Sequence, residues 1–214
     1  MALKPNLHPE PWYISVPDEA GMLDWATVFG NPNPVELEIG SGKGTFLLNV
    51  AQAYPDRNFI GIEWAKPYAD FAADRLRRHA QHNTRMVCAE ATWWLRCHVP
   101  AGSLAGLHVY FPDPWPKTRH HKRRLVQLPF IQEAHRILRP GGTLRLVTDH
   151  ADYFAWMQDV LARQDLLTVI PFTGVINPGD ERGVVGTNFE KKYITEGRTF
   201  HATAAQKPPA TGTA

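Results

Sequence analysis

Short apolar runs alternate with longer stretches of helical spacing along most of this chain. Residues 35–39, 58–63, 84–89, 104–111 and 143–148 read as short buried strands, several of them rich in β-branched and aromatic residues. Between them the apolar positions at 45–53, 67–82, 91–98 and 129–138 follow a helical period, and Arg139-Pro140-Gly141-Gly142 reads as a break before the fifth strand. A further helix at 151–163 and strands at 167–170 and 199–205 complete the series. Repeated βα units predict an α/β fold, Rossmann-like, with a mostly parallel seven-stranded sheet and helices on both faces. Ligands of such sheets bind at the carboxyl ends of the strands, and the motifs below fall mostly there.

The pattern divides the chain into a partly irregular N-terminal segment, 1–30, a single domain over 31–206, and a tail, 207–214, expected to fray. Residues 173–186, rich in Gly and polar groups, read as a long loop. With 214 residues, 43% of them hydrophobic, the chain has material for one sizeable core. No apolar run approaches the roughly 20 residues that span a bilayer. The opening MALKPNLHPEPWYISVP lacks a secretory pattern, so a cytoplasmic protein is expected. Cys88 and Cys97 show neither metal-type spacing nor a disulfide framework, and His79 and His82, one helical turn apart, have no third ligand nearby in sequence. No metal is therefore expected.

A formal net charge of +2 is too small to demonstrate a nucleic-acid partner. Its distribution says more. Cations concentrate between Lys117 and Arg124, whereas Glu36, Glu38, Glu63 and Asp113 gather near predicted strand ends, which implies a cleft with an acidic floor and a basic rim.

Gly40-x-Gly42-x-Gly44, between a strand and a helix, is a turn that a ligand can approach closely. A dinucleotide fingerprint would place its third glycine where this chain has Thr45, and Lys43 is followed by Gly44 rather than by the Ser or Thr of a phosphate loop. Glu38, two residues before the first glycine, would repel a pyrophosphate and favour a cationic ligand such as S-adenosylmethionine, which carries a sulfonium and an ammonium. Glu63 ends the second strand a little over 20 residues after Gly40, the spacing at which an acid binds ribose hydroxyls.

The densest chemistry lies in Pro112-Asp113-Pro114-Trp115-Pro116-Lys117, which leads into Arg119, His120, His121, Lys122, Arg123 and Arg124. Proline fixes φ, so Asp113 is held stiffly just beyond the fourth strand. Together with the glycine loop this segment resembles the bacterial tRNA (guanine-N7-)-methyltransferases, class I S-adenosylmethionine-dependent enzymes whose signature is a PDPW-P-K box leading into an R-H-x-K-R-R run. The resemblance extends over most of residues 35–193.

It implies methyl transfer from S-adenosylmethionine to N7 of the variable-loop guanosine, position 46, of tRNA, with Asp113 as the catalytic residue. It further implies cofactor binding by Glu38, Gly40, Gly42, Gly44, Glu63, Glu90 and Asp113. Glu90 stands where the family usually has Asp, one methylene longer. Lys117 occupies the substrate-binding lysine position, Arg119, Lys122, Arg123 and Arg124 would track the RNA backbone, and Asp149, Thr187 and Glu190 would contact the target nucleotide. Thr118 stands where the family has Lys or Arg, so one cation is missing. Trp115 fits either base stacking or loop packing. The expected partner is tRNA, with no membrane and no obligatory protein partner, the chain acting as a monomer or homodimer. Two other readings keep parts of this picture: a methyltransferase acting on another RNA, and a noncatalytic RNA-binding module. The intact Glu38, Glu63 and Asp113 speak against the second.

Overall fold

The computed structural model describes residues 7–14, 21–174, 196–197 and 199–210. Seven strands, β1 (Val35–Ile39), β2 (Asn58–Glu63), β3 (Thr84–Cys88), β4 (Leu104–Tyr110), β5 (Leu138–Thr148), β6 (Thr168–Ile170) and β7 (His201–Gln206), form one sheet in the order β3-β2-β1-β4-β5-β7-β6. The first five run parallel, and β7 lies antiparallel between β5 and β6. The helices are α1 (Trp25–Phe29), α2 (Thr45–Ala53), α3 (Lys66–Arg78), α4 (Ala91–His98), α5 (Leu128–Ile137) and α6 (Ala151–Ala162).

Strand alternation divides the core in two. Leu37, Ile60 and Leu107 face one way, towards Trp94 of α4, Ile131 of α5 and Tyr153 of α6. Phe59, Met86 and Tyr110 face the other way, towards Phe46 and Leu47 of α2 and Ala72 and Leu76 of α3. Helices cover both faces, so β1 is buried from end to end. Its Glu36 and Glu38 therefore need a specific account.

Apart from shifts of one or two residues at several ends, three departures from the sequence expectation have an identifiable cause. The expected break at 139–142 lies inside β5: Leu138 pairs with Leu104 and Thr143 with Gly106, so the intervening residues bulge out of the ladder at Gly141, φ 76°. Lys207, expected in the frayed tail, staples that bulge, because its Nζ donates to the carbonyls of His135 at 2.8 Å and Leu138 at 2.9 Å. Helix α3 stops at Arg78 rather than 82, since Ala80 takes a left-handed φ of 52° and Gln81 N–H donates to the Leu76 carbonyl at 3.0 Å, a Schellman-type cap. Part of the N-terminal segment is docked: Ile14 N–H donates to Met86 O at 2.9 Å and Met86 N–H to Trp12 O at 2.8 Å, covering the outer edge of β3.

Candidate active site at the carboxyl ends of the strands

The sheet order reverses between β1 and β4, and the two sequence motifs flank that point. After β1 the chain turns over β2, with Gly40 and Ser41 N–H groups both donating to Ile62 O, at 2.8 and 3.1 Å. Gly42 N–H donates to Glu63 Oε2 at 2.9 Å, and Ala65 N–H to Oε1 at 2.8 Å, so the acid that ends β2 also shapes the loop. Gly40 and Gly42 are left-handed, φ 79° and 52°, and a Cβ on either would meet nothing within 4 Å, so this backbone borders open space. Gly44 serves packing instead, because a Cβ there would lie 2.9 Å from Ala72 Cβ. Arg75 of α3, which sequence reasoning missed, donates to Thr45 Oγ1 at 2.7 Å and pins the start of α2. A cation inside an otherwise amphipathic helix carried no local signal.

Glu38 lies at this loop, 3% exposed, and its Oε2 has no hydrogen-bond partner. Burial pushes its carboxyl up to about 8, an effect that Ser41 opposes and the Glu63 charge reinforces. This oxygen is left open to a ligand donor or cation. The donor set therefore fits S-adenosylmethionine: an orphaned carboxylate for positive charge, open backbone at two glycines, and a strand-end acid with lone pairs left for ribose hydroxyls. Glu36, grouped on sequence with the site acids, belongs elsewhere. Arg57 Nη1 donates to its Oε1 at 2.7 Å and buried His108 meets its Oε2 through Nε2 at 2.7 Å, while Tyr110 OH meets His108 Nδ1 at 2.8 Å. Glu90 caps α4, accepting from Thr92 N–H at 2.9 Å and Trp93 N–H at 2.6 Å.

On the other side of the reversal, Asp113 is exposed in the loop after β4. Phe111 and Trp115 bracket it with left-handed φ values of 52° and 44°, which cost on the order of 1 kcal/mol or more each and require outside support. Residues Thr118–Arg123 then form a 3₁₀ helix, in which positions three apart share a face. That period sorts the basic run. His120 and Arg123 turn towards Trp115, the imidazole edge-on at 5.8 Å and the guanidinium 4.9 Å from the ring. His121 turns towards α6, as does Arg124 just beyond the helix, and Arg119 and Lys122 are exposed. Lys117, Arg119, Lys122 and Arg123 are exposed, whereas Arg124, expected among the RNA-tracking cations, is 1% exposed and paired with Asp152. Arg123 and His120 both pack against the ring of Trp115, which is part of the loop's own packing.

Asp149 follows β5, and His150 caps α6 by accepting from Tyr153 N–H at 3.3 Å. Thr187, Glu190 and most of the 173–186 loop lie outside the described residues. Among the described residues no group of three or more His, Cys, Asp or Glu side chains could hold a metal ion, and no helix is long and apolar enough to cross a membrane.

The methyltransferase family model Methyltransf_4, described as "Putative methyltransferase", matches residues 32–203. The chain is 38% identical to a tRNA (guanine-N(7)-)-methyltransferase of Rhodopirellula baltica, over 84% of this chain and 67% of the relative. It is 39% identical to the Alkalilimnicola ehrlichii enzyme of that name, over 82% and 73% of the two chains, and 44% identical to the Bordetella pertussis one, over 72% and 60%. Among solved structures it shares its fold with the 16S rRNA methyltransferase KamB, TM-score 0.62 at 14% identity, covering 88% of this chain and 95% of that one. The same holds for a SAM-dependent methyltransferase from Aquifex aeolicus, TM-score 0.56 at 12% identity, with coverages of 86% and 87%.

Proposed function

This chain belongs to the tRNA (guanine-N7-)-methyltransferase family, and from that premise we propose that it methylates N7 of the variable-loop guanosine, position 46, of tRNA, using S-adenosylmethionine. The observation that carries the reading is the pairing of an orphaned buried carboxylate, Glu38, with a proline-held Asp113 across the point where the sheet order reverses. When bound, S-adenosylmethionine supplies an electrophilic methyl group on a sulfonium. Glu38, the open Gly40 and Gly42 backbone and Glu63 would hold it, with Glu90 at the adenine edge.

Guanine N7 has a lone pair and no proton to lose, so the protein provides no general base for the attack. It aligns the base and offsets the positive charge that grows on the purine. Asp113 can do both, accepting hydrogen bonds from guanine N1–H and N2–H₂ while its charge opposes the developing one. Asp149 would face the same nucleotide, with Thr187 and Glu190 contacting it from beyond the described residues. Lys117, Arg119, Lys122 and Arg123, all exposed beside Asp113, suit the phosphates around it.

Nucleoside mass spectrometry of unmodified tRNA, incubated with the protein and S-adenosylmethionine, should show 7-methylguanosine formed without added metal. Asp113→Asn should lower the single-turnover rate by about 10²-fold or more while sparing cofactor affinity. Absence of 7-methylguanosine with the wild-type protein overturns the reading, and near wild-type turnover by the variant removes Asp113 from the reaction.

A further inference from the structure

Arg124 ends the basic run but does not face solvent. Its Nε donates to the Pro114 carbonyl at 2.9 Å, its Nη2 donates to the Asp152 carboxylate, and its guanidinium lies 4.9 Å from the Tyr153 ring and 5.2 Å from the Trp156 ring. Pro114 is the residue after Asp113, and Asp152, Tyr153 and Trp156 belong to the first turns of α6, which begins directly after Asp149 and its neighbour His150. The side chain thus bridges the two segments that carry the substrate-side acids. The joint is reinforced around it: Val126 N–H donates to Tyr153 OH at 3.2 Å, Trp156 Nε1 to Val126 O at 2.7 Å, and Gln127 Nε2 to Arg124 O at 2.6 Å.

We infer that Arg124 is a positioning residue that clamps the Asp113 loop to α6 and so fixes Asp113 relative to Asp149, rather than a contact to RNA phosphate. The clamp answers a need visible in the backbone, since Phe111 and Trp115 hold strained conformations on either side of Asp113. Arginine suits it in a way lysine does not. A planar fork bonds a carbonyl and a carboxylate in different directions while lying against two rings, whereas an ammonium is a single point of charge. What the fixed pair of acids acts on rests on the proposed function; the clamp itself does not.

The test uses Arg124→Lys together with Asp152→Asn, whose side chain is 60% exposed, so that replacing it leaves the core intact. Three readouts are compared in the full-length protein: hydrogen exchange of peptides spanning residues 111–124, the single-turnover rate on tRNA, and the salt dependence of tRNA affinity. Exchange is informative because His120 N–H and Arg124 N–H are bonded within the loop, to Lys117 O and His121 O. Arg124→Lys should speed loop exchange and lower the single-turnover rate by roughly tenfold to 10²-fold, as misplacement of a reacting group does, with cofactor affinity and the tRNA salt slope unchanged. Asp152→Asn should shift both in the same direction, and the double variant should be no worse than Arg124→Lys alone.

Because lysine keeps the charge, the phosphate alternative is decided by a third variant, Arg124→Gln, in which a salt slope lowered by about 0.7 to 0.9, as for a lost phosphate contact, overturns the proposal. So does unchanged loop exchange, or faster exchange with a wild-type rate. If Arg124→Lys fails to fold, Asp152→Asn carries the same three readouts. If the wild-type protein forms no 7-methylguanosine, the proposed function fails, and the exchange measurement still decides whether the clamp exists.

Discussion

Glu36 and Glu38 stand two residues apart on the same face of β1, each 3% exposed, yet their carboxyls are driven in opposite directions, to about 2 and about 8. Burial raises both; partners make the difference. At the amino end of the strand Glu36 meets Arg57 and His108. Burial holds His108 below its ordinary value, so it stays neutral and donates its Nε2–H while accepting from Tyr110 OH at Nδ1. At the carboxyl end Glu38 keeps an oxygen with no partner. Each acid has a glycine opposite it, Gly106 for Glu36 and Gly61 for Glu38; a Cβ on Gly106 would lie 2.8 Å from Glu36 Oε2, whereas one on Gly61 would meet Leu47, Ser41 and Met86. One end of the strand is thus finished as structure, and the other keeps a buried acid with an unpartnered oxygen.

The largest expected effect breaks the finished end. Glu36→Gln removes the charge that Arg57 and His108 address and should cost about 3 kcal/mol of folding stability, the low end for a broken buried pair because Arg57 is partly hydrated. Urea unfolding measures it, and cofactor affinity should stay within twofold of wild type. A loss well under about 1 kcal/mol would show that the network contributes little. Next comes the glycine on the open side. Gly61→Ala would put a Cβ 2.4 Å from Leu47 Cδ1 and Ser41 Oγ and 2.8 Å from Met86 Sδ. About 2 kcal/mol of destabilisation should follow, with weaker cofactor binding because Ser41 begins the loop. Unchanged stability would mean that α2 moves freely on the sheet.

The contrast between the two acids also marks what the sequence could reveal. Strands β1 and β2 and helices α2 and α4 have the bounds that periodicity predicts, because local pattern and burial agree there. Boundaries failed where the deciding interaction was distant or unconventional: Ala80 closes α3 without a glycine, and Lys207 holds the bulge of β5 from the far end of the chain. In the candidate site, the glycine spacing did announce a turn that borders open space, and Glu63 does stand beside it at the end of its strand. The four acids looked alike on paper. Only Arg57, 21 residues away, and His108, 72 away, separate Glu36 from Glu38. Arg124 was hard to read for a related reason: its neighbours make a uniform cationic run, and nothing in that run signals that the residue at the C-cap of the 3₁₀ helix is buried.

A smaller effect sharpens the open end. Glu38→Gln keeps size and burial but removes the charge that would meet a ligand cation, and should weaken S-adenosylmethionine binding by about 1.5 kcal/mol, a little over tenfold. Calorimetry decides. The stability of the free protein should not fall, because the orphaned acid contributes none at neutral pH. Affinity equal to wild type would place the ligand's positive charge elsewhere.

The smallest effect is graded with pH and has opposite signs for the two acids. The pKa of Glu36 is depressed on folding, so its contribution to stability is present above about 4.5 and is lost as pH falls towards about 2. For Glu38 the pKa is raised, so stability of the free protein is full below about 4.5 and declines as pH rises through about 8, where the carboxyl must ionise in the interior. A bound cation favours the ionised form and reverses that penalty. Cofactor affinity should therefore climb as pH rises from 6 to 8, by at most about tenfold per unit, with release of a proton on binding. Calorimetry in two buffers of different ionisation enthalpy reads the proton directly. The same titration on Glu38→Gln removes the ligand's own ionisation from the comparison, since it is common to both proteins. If the ratio of the two affinities is flat across that range, Glu38 does not change its charge on binding, and the coupling of its ionisation to a ligand cation fails.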